Sequence, residues 1–190
     1  MFEAFSNIAS AFGLSSAAGL NAYLPLLVVA LTARYTDKIA LNEPWNILTN
    51  GWVIGALVVL LIIEMLVDKI PAVDTLNDGI QTIGRPLAGA VLFAGTSGVI
   101  GEMNPALALI AGLLLAGGVH TAKSVTRPAV TTLTGGAGNW FVSIVEDVVS
   151  FFTAIFAIIL PVLMAVLLAF AFILLAWVLN KRRRGKAISA

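Results

Sequence analysis

His120, Lys123 and Arg127 stand three and four residues apart, so on a helix their side chains gather on one side. Cations, hydroxyls and free backbone amides on one face are the equipment for holding an anion. Thr121, Ser124, Thr126, Thr131, Thr132 and Thr134 supply hydroxyls, and Gly135, Gly136 and Gly138 free amides, so Gly118 to Gly138 reads as the heart of an anion site. A carboxylate, an inorganic anion or the phosphate of a lipid headgroup fits such a site.

The acidic partners are Glu64 and Asp68, four residues apart, and the adjacent Glu146 and Asp147. Lys69 and Arg85 lie near the first pair in sequence. The competing reading is that the cations pair with these carboxylates as a fixed internal lock. Carboxylates facing a cavity also carry protons or bind hard cations. Here Lys69, Arg85, Lys123 and Arg127 supply the opposite charge, which argues against a dedicated metal site. One His excludes a His-rich transition-metal centre, and the absence of Cys excludes disulfides, thiolate sites and Cys nucleophiles.

No G-x-S-x-G or H-E-x-x-H pattern is present. The chain is read as a non-enzyme without cofactor. The His120 and Arg127 pair keeps a lipid-modifying enzyme as a third reading.

The surroundings make these charges informative. The 190 residues are 59% hydrophobic and 11% charged, with a mean hydropathy of +1.01. Soluble domains carry about 25% charged residues. Charge inside membrane-length apolar segments is expensive and marks a pathway, a partner or a ligand. Of eleven basic residues five sit in the tail Lys181 to Lys186, leaving six against ten acidic side chains. A basic cluster after an apolar segment marks a cytoplasmic end, so this is read as a cytoplasmic tail rather than a nucleic-acid site. The N-terminus has neither a basic n-region nor a small-residue cleavage site and does not read as a removable signal peptide.

The elements that must position the charges follow from the apolar runs. The first, Asn7 to Ala33, is rich in small and polar residues around Asn21 and Tyr23. Pro25 predicts a kink or break there, beside or together with a small-residue packing face. Gly51 to Val67 is the cleanest span. Residues 70–84, with Asp74 and Asp78, read as a loop or a short interfacial helix. A short, tilted or re-entrant helix starts at Gly84, and a further apolar segment runs from Asn104 and Pro105 to about Val119. Arg85-Pro86 and Arg127-Pro128 are expected to start helices, with each Arg facing a cavity or an acid. Residues 129–138 read as irregular backbone. The last run, Asn139 to Asn180, is about twice the hydrocarbon thickness and must break, with Pro161 as the place.

Two stretches echo each other. Residues 82–88 resemble 124–130 around the Arg-Pro pairs, and 15–25 can be laid on 118–128. Such an echo points to an internal inverted repeat with halves 1–100 and 101–180. It predicts that one of Lys69, Arg85, Lys123 and Arg127 pairs with an acid of the other half.

At Gly19, Asn21, Tyr23 and Pro25, at Glu64, Asp68, Lys69, Pro71 and Asp74, at Arg85 and Pro86, and at Gly118, His120 and Lys123, the chain resembles a family of small bacterial multi-pass membrane proteins catalogued as a domain of unknown function. The resemblance implies one domain over nearly the whole chain. It brings no activity and no catalytic residues.

The expectation is an all-α protein of the cell membrane. It has five to six segments, some broken or re-entrant, in one domain over residues 1–180, and a tail at 181–190. Its function is read as that of a small transporter or channel, with membrane lipids around it and an anionic solute or lipid headgroup as ligand. A homodimer would add protein around the pathway. The substrate-binding set is Asn21, Tyr23, Glu64, Asp68, Lys69, Arg85, His120, Lys123, Arg127, Glu146 and Asp147.

Overall fold

The computed structural model describes residues 2–67, 71–96, 104–135 and 137–163, and beyond these 166–167, 169–170, 173–174 and 177. Asp68 and Lys69 therefore lie outside the described residues, as does the basic tail. All regular structure among the described residues is helical: α1 (Phe2–Ala18), α2 (Tyr23–Tyr35), a 3-10 turn (Trp45–Thr49), α3 (Gly51–Val67), α4 (Pro71–Thr96), α5 (Pro105–Thr134) and α6 (Ala137–Ile159).

The first apolar run does break, at residues 19–22 and ahead of Pro25. The reason is local. Asn21 Oδ1 accepts from the amides of Tyr23 (3.1 Å) and Leu24 (2.9 Å), capping α2. Pro25 then sits in the first turn of α2, where a missing donor is harmless. Together α1 and α2 form a hairpin. Glu3, Ser6 and Asn7 near the start of α1 line one cleft of about 510 Å³ with Asp37 and Lys38, just past the end of α2. The chain thus goes in and comes back to the same end of the molecule.

α1 is wedged against α4, α5 and α6. Ser15 Oγ donates to Gly89 O (2.8 Å), Ser150 Oγ to Ala17 O (3.0 Å) and Ser10 Oγ to Ala157 O (2.6 Å). The apolar core around them is largely alanine and leucine, with Leu14, Val29, Leu92 and Ala154 fully buried. α4 and α5 pass each other backbone to backbone. A Cβ on Gly112 would run into Gly89 O and Phe93 Cβ. Gly112→Ala is therefore expected to lower stability in detergent by about 1–3 kcal/mol, the range for overpacking. A melting midpoint equal to wild type would contradict that packing.

Several boundaries differ from the sequence reading. Residues 71–84 are no loop. They are the first half of α4, which continues unbroken to Thr96. The Arg-Pro pairs do not start helices, because Pro86 is inside α4 and Pro128 inside α5. Packing against neighbouring helices overrides the local proline penalty there, as it does in membrane helices. The helix also runs through 129–134, where threonine hydroxyls bond back to their own helix: Thr131 to Arg127 O, Thr132 to Pro128 O and Thr134 to Val130 O. α5 ends at Gly135, with φ 61°. Two other boundaries agree. Asn104 caps α5 with Pro105 in its first turn, and the last run is interrupted at Leu160, one residue before Pro161.

The outward faces are apolar. Along α3 only Leu57 and Glu64 are buried, while Trp52 is 90% exposed and Ile62, Ile63 and Leu66 are half-exposed or more. α5 and the segment Gly138–Ile159 are each long and apolar enough to cross a membrane.

Candidate functional site

The tip of the α1–α2 hairpin reaches a layer of charge inside the bundle. At about 1.5 Å per residue, α1 carries the tip ~25 Å from its start. On the same scale Glu64 is ~20 Å along α3 and His120 ~22 Å along α5. Three helices thus deliver their polar groups to one level.

Glu64 and Arg85 form the first cluster. Arg85 Nη2 donates to Glu64 Oε1 at 3.1 Å, with side-chain exposures of 0% and 1%. Arg85 Nη1 lies 3.1 Å from His120 Nδ1. A guanidinium has only donors, so His120 Nδ1 must accept. The proton of the neutral ring is then on Nε2, which faces Thr82 Oγ1 at 3.2 Å. Ser124 Oγ is 3.5 Å from the same nitrogen and donates to His120 O. A chain of contacts thus runs from Glu64 on α3 to Arg85 on α4, to His120 on α5 and back to Thr82 on α4.

The second cluster surrounds the hairpin tip. Lys123 Nζ is 2.8 Å from Glu146 Oε2 and donates to Leu20 O at 3.2 Å. Arg127 Nη2 binds the same Glu146 oxygen at 3.0 Å. Asn21 Nδ2 donates to Asp147 Oδ1 at 2.9 Å. The signs fit the helix ends. The negative C-terminal end of α1 receives an ammonium through Leu20 O. The positive N-terminal end of α2 receives a carboxylate through Asn21. Broken helices with their ends turned on a polar centre are the device by which transporters build ion and substrate sites.

Among the described residues Arg85, Lys123 and Arg127 stand against Glu64, Glu146 and Asp147. All are buried except Glu146, which is 12% exposed. The sequence-derived set is therefore largely brought together. Among the described residues, the ion pairs of Arg85, Lys123 and Arg127 each lie within one half of the chain, and the expected pairing of Lys69 lies outside the described residues. Arg85 pairs with Glu64 in the first half, and Lys123 and Arg127 pair with Glu146 in the second. The halves meet instead through Arg85 and His120, Asn21 and Asp147, and Lys123 and Leu20 O. The echo of 15–25 on 118–128 also fails as structure, since the first stretch holds the hairpin break and the second is continuous helix.

Some expected roles change. Tyr23 packs its ring against the apolar core, and its amide is tied to Asn21. Thr121, Thr126 and Ser124 join Thr131, Thr132 and Thr134 in bonding carbonyls of their own helix. Each of these hydroxyls bonds a carbonyl of α5, and Thr131 also bonds the Asn139 side chain of α6. Sequence reasoning missed Thr82, the Leu20 carbonyl and the inward polar stripe of α6, in which Asn139, Ser143, Asp147 and Ser150 are buried. The stripe was legible, since its members recur at spacings of three and four.

The charged layer is placed by the same residues, Gly19 to Pro25, Glu64, Arg85 and Gly118 to Lys123, that carry the resemblance. A family model spans both clusters, from within α1 through α6, over residues 8–181. The chain belongs to the family described as a domain of unknown function, DUF4126. Neither the curated proteins nor the solved structures hold a match to it. The DUF4126 domain here is thus one helical unit whose hairpin tip meets a buried, charged layer. In it no group of three or more His, Cys, Asp or Glu is arranged to hold a metal ion among the described residues.

Proposed function

We propose that this DUF4126 protein is a small multi-pass protein of the cell membrane that moves an anionic solute through a site at mid-membrane depth. Its support begins with the surface. The two long apolar helices are only 22% and 28% buried over their most apolar windows. A soluble protein hides such helices, and exposed apolar area on this scale calls for lipid as solvent. In this reading α3 to α6 and the apolar run after Pro161 make five crossings around a re-entrant α1–α2 hairpin. The Lys181 to Lys186 cluster sets the C-terminus in the cytoplasm.

The observation that carries the transport reading is the hairpin tip seated on Lys123 and, through Asn21, on Asp147. A half-helix pair at mid-depth, framed by ionisable side chains, is a costly arrangement in lipid and is kept for a pathway or ligand. Lys123 and Arg127 are the anion-binding groups, and an anionic solute or lipid phosphate is the ligand class. His120 is the group placed to take up or release a coupled proton.

A second reading has one observation in its favour. Arg85, Lys123 and Arg127 each bonded to a carboxylate is what a permanent internal lock would display. Reconstitution separates the two. Wild type and Lys123→Ala/Arg127→Ala are placed in liposomes at equal protein density. Uptake of chloride, inorganic phosphate and small organic acids is then followed. Transport predicts uptake of an anion by wild type and its loss in the double variant at similar yield. Full uptake by the double variant removes Lys123 and Arg127 from the site. Collapse of folded protein, with no uptake by wild type, favours the lock.

A further inference from the structure

Two cavities adjoin at the open end of the α1–α2 hairpin, away from the charged layer. The first is the polar cleft of about 510 Å³, a volume usual for a small-molecule site. Glu3 on α1, and Asp37 and Lys38 just past α2, bring charge to it, while Asn7 and Asn42 bring amides. Among the described residues Glu3, Asp37 and Lys38 are exposed and form no ion pair. The second cavity, about 470 Å³, is a groove where the last apolar run breaks. Apart from Ser6 it is lined only by Ile159, Leu160, Pro161, Val162 and Leu163. Ser6 and Pro161 line both cavities, so the polar cleft and the apolar groove share a wall.

The level is that of lipid headgroups. Arg34 ties the end of α2 to the start of α3 by donating to Thr49 O at 2.8 Å. Beside it Tyr35 and Trp52 are 73% and 90% exposed. Exposed Tyr and Trp gather at the boundary of membrane and water. A polar cleft at that level, with an apolar groove along one side, suits an amphiphile with its head in the cleft and a chain in the groove. The lining charge selects the head. Glu3 and Asp37 against Lys38 present both signs, with one negative charge in excess. A headgroup with a primary ammonium beside a phosphate diester answers both. Its N–H groups donate to the carboxylates, and its phosphate oxygens accept from Lys38. A trimethylated ammonium has no N–H to donate. An anionic headgroup without an amine leaves both carboxylates facing negative charge. We infer that the open end of the hairpin is a binding site for a phospholipid of the ethanolamine class. The inference rests on the membrane placement in the reading above and is independent of transport.

The test uses the full chain in detergent micelles doped with one lipid at a time: phosphatidylethanolamine, phosphatidylcholine or phosphatidylglycerol, all with the same acyl chains. Apparent affinity is read from the rise of the melting midpoint with lipid mole fraction. Phosphatidylethanolamine is expected to bind about fivefold tighter than the other two, the upper worth of one exposed ion pair. Glu3→Gln/Asp37→Asn changes only exposed side chains and is expected to fold as wild type does and to lose that preference. Lys38→Gln is expected to weaken phosphatidylethanolamine binding as well. Equal binding of the three lipids by wild type would overturn the inference, as would a preference that survives in the double variant. O-phosphoethanolamine, the soluble head without chains, is expected to leave the midpoint unchanged at matched concentration. A shift equal to that of the lipid would make the cleft a site for a water-soluble zwitterion and overturn the lipid assignment. Anion uptake into liposomes is read separately. Uptake without a lipid preference keeps transport and removes this site, whereas a preference without uptake keeps the site and removes the transport reading.

Discussion

Arg85→Met is expected to lower stability by about 3–5 kcal/mol. The side chain is fully buried, with Glu64 beside it at 1% exposure and 3.1 Å. Removing the guanidinium leaves the Glu64 carboxylate without this partner in a low-dielectric interior, and takes from His120 Nδ1 the donor at 3.1 Å. Adding Glu64→Leu to Arg85→Met should recover most of the loss, because a buried pair replaced whole by apolar groups is often neutral. Melting of the two variants in detergent checks the sign and the order. A single variant as stable as wild type would mean that Glu64 and Arg85 do not meet in the folded protein.

The second large effect is expected at Lys123. Lys123→Glu brings a carboxylate to Glu146 Oε2, now 2.8 Å from the ammonium, and to the carbonyl of Leu20 at the negative end of α1. Repulsion replaces attraction on both sides, so the loss should be at least the ~3–5 kcal/mol of a broken buried pair. The charge swap Lys123→Glu/Glu146→Lys should recover only part of it. The new cation at position 146 meets Arg127, and Leu20 O still faces a carboxylate. The expected order of melting midpoints is wild type, swap, single variant. Full recovery in the swap would show that the hairpin tip does not depend on Lys123.

The cationic face of α5 was legible because spacing alone decides which residues share a helical face. His120, Lys123 and Arg127 are all buried on one side. The breaks near Pro25 and Pro161 were legible from composition, as was the start of α5 at Asn104 and Pro105. Pro86 and Pro128 misled, because a local rule about missing amide donors says nothing of the helices packed alongside. Residues 71–84 misled for another reason. Their helix is amphipathic rather than apolar, and a search for apolar runs passes over it. The pairing of Asn21 with Asp147, 126 residues apart, has no local signature at all. Neither does the use of a backbone carbonyl, Leu20 O, as the partner of Lys123.

α1 and α2 form a hairpin that enters and leaves at one face, with its tip on the charged layer. The chain contains no cysteine, so single cysteines can be introduced without background. Asn7→Cys and Lys38→Cys mark the two ends of the hairpin, which share one cleft. Labelling with a membrane-impermeant maleimide is compared in intact cells and in inverted vesicles. Both positions are expected to label from the same side of the membrane. Labelling of Asn7→Cys from one side and Lys38→Cys from the other would make α1 and α2 a single crossing, and would contradict the account.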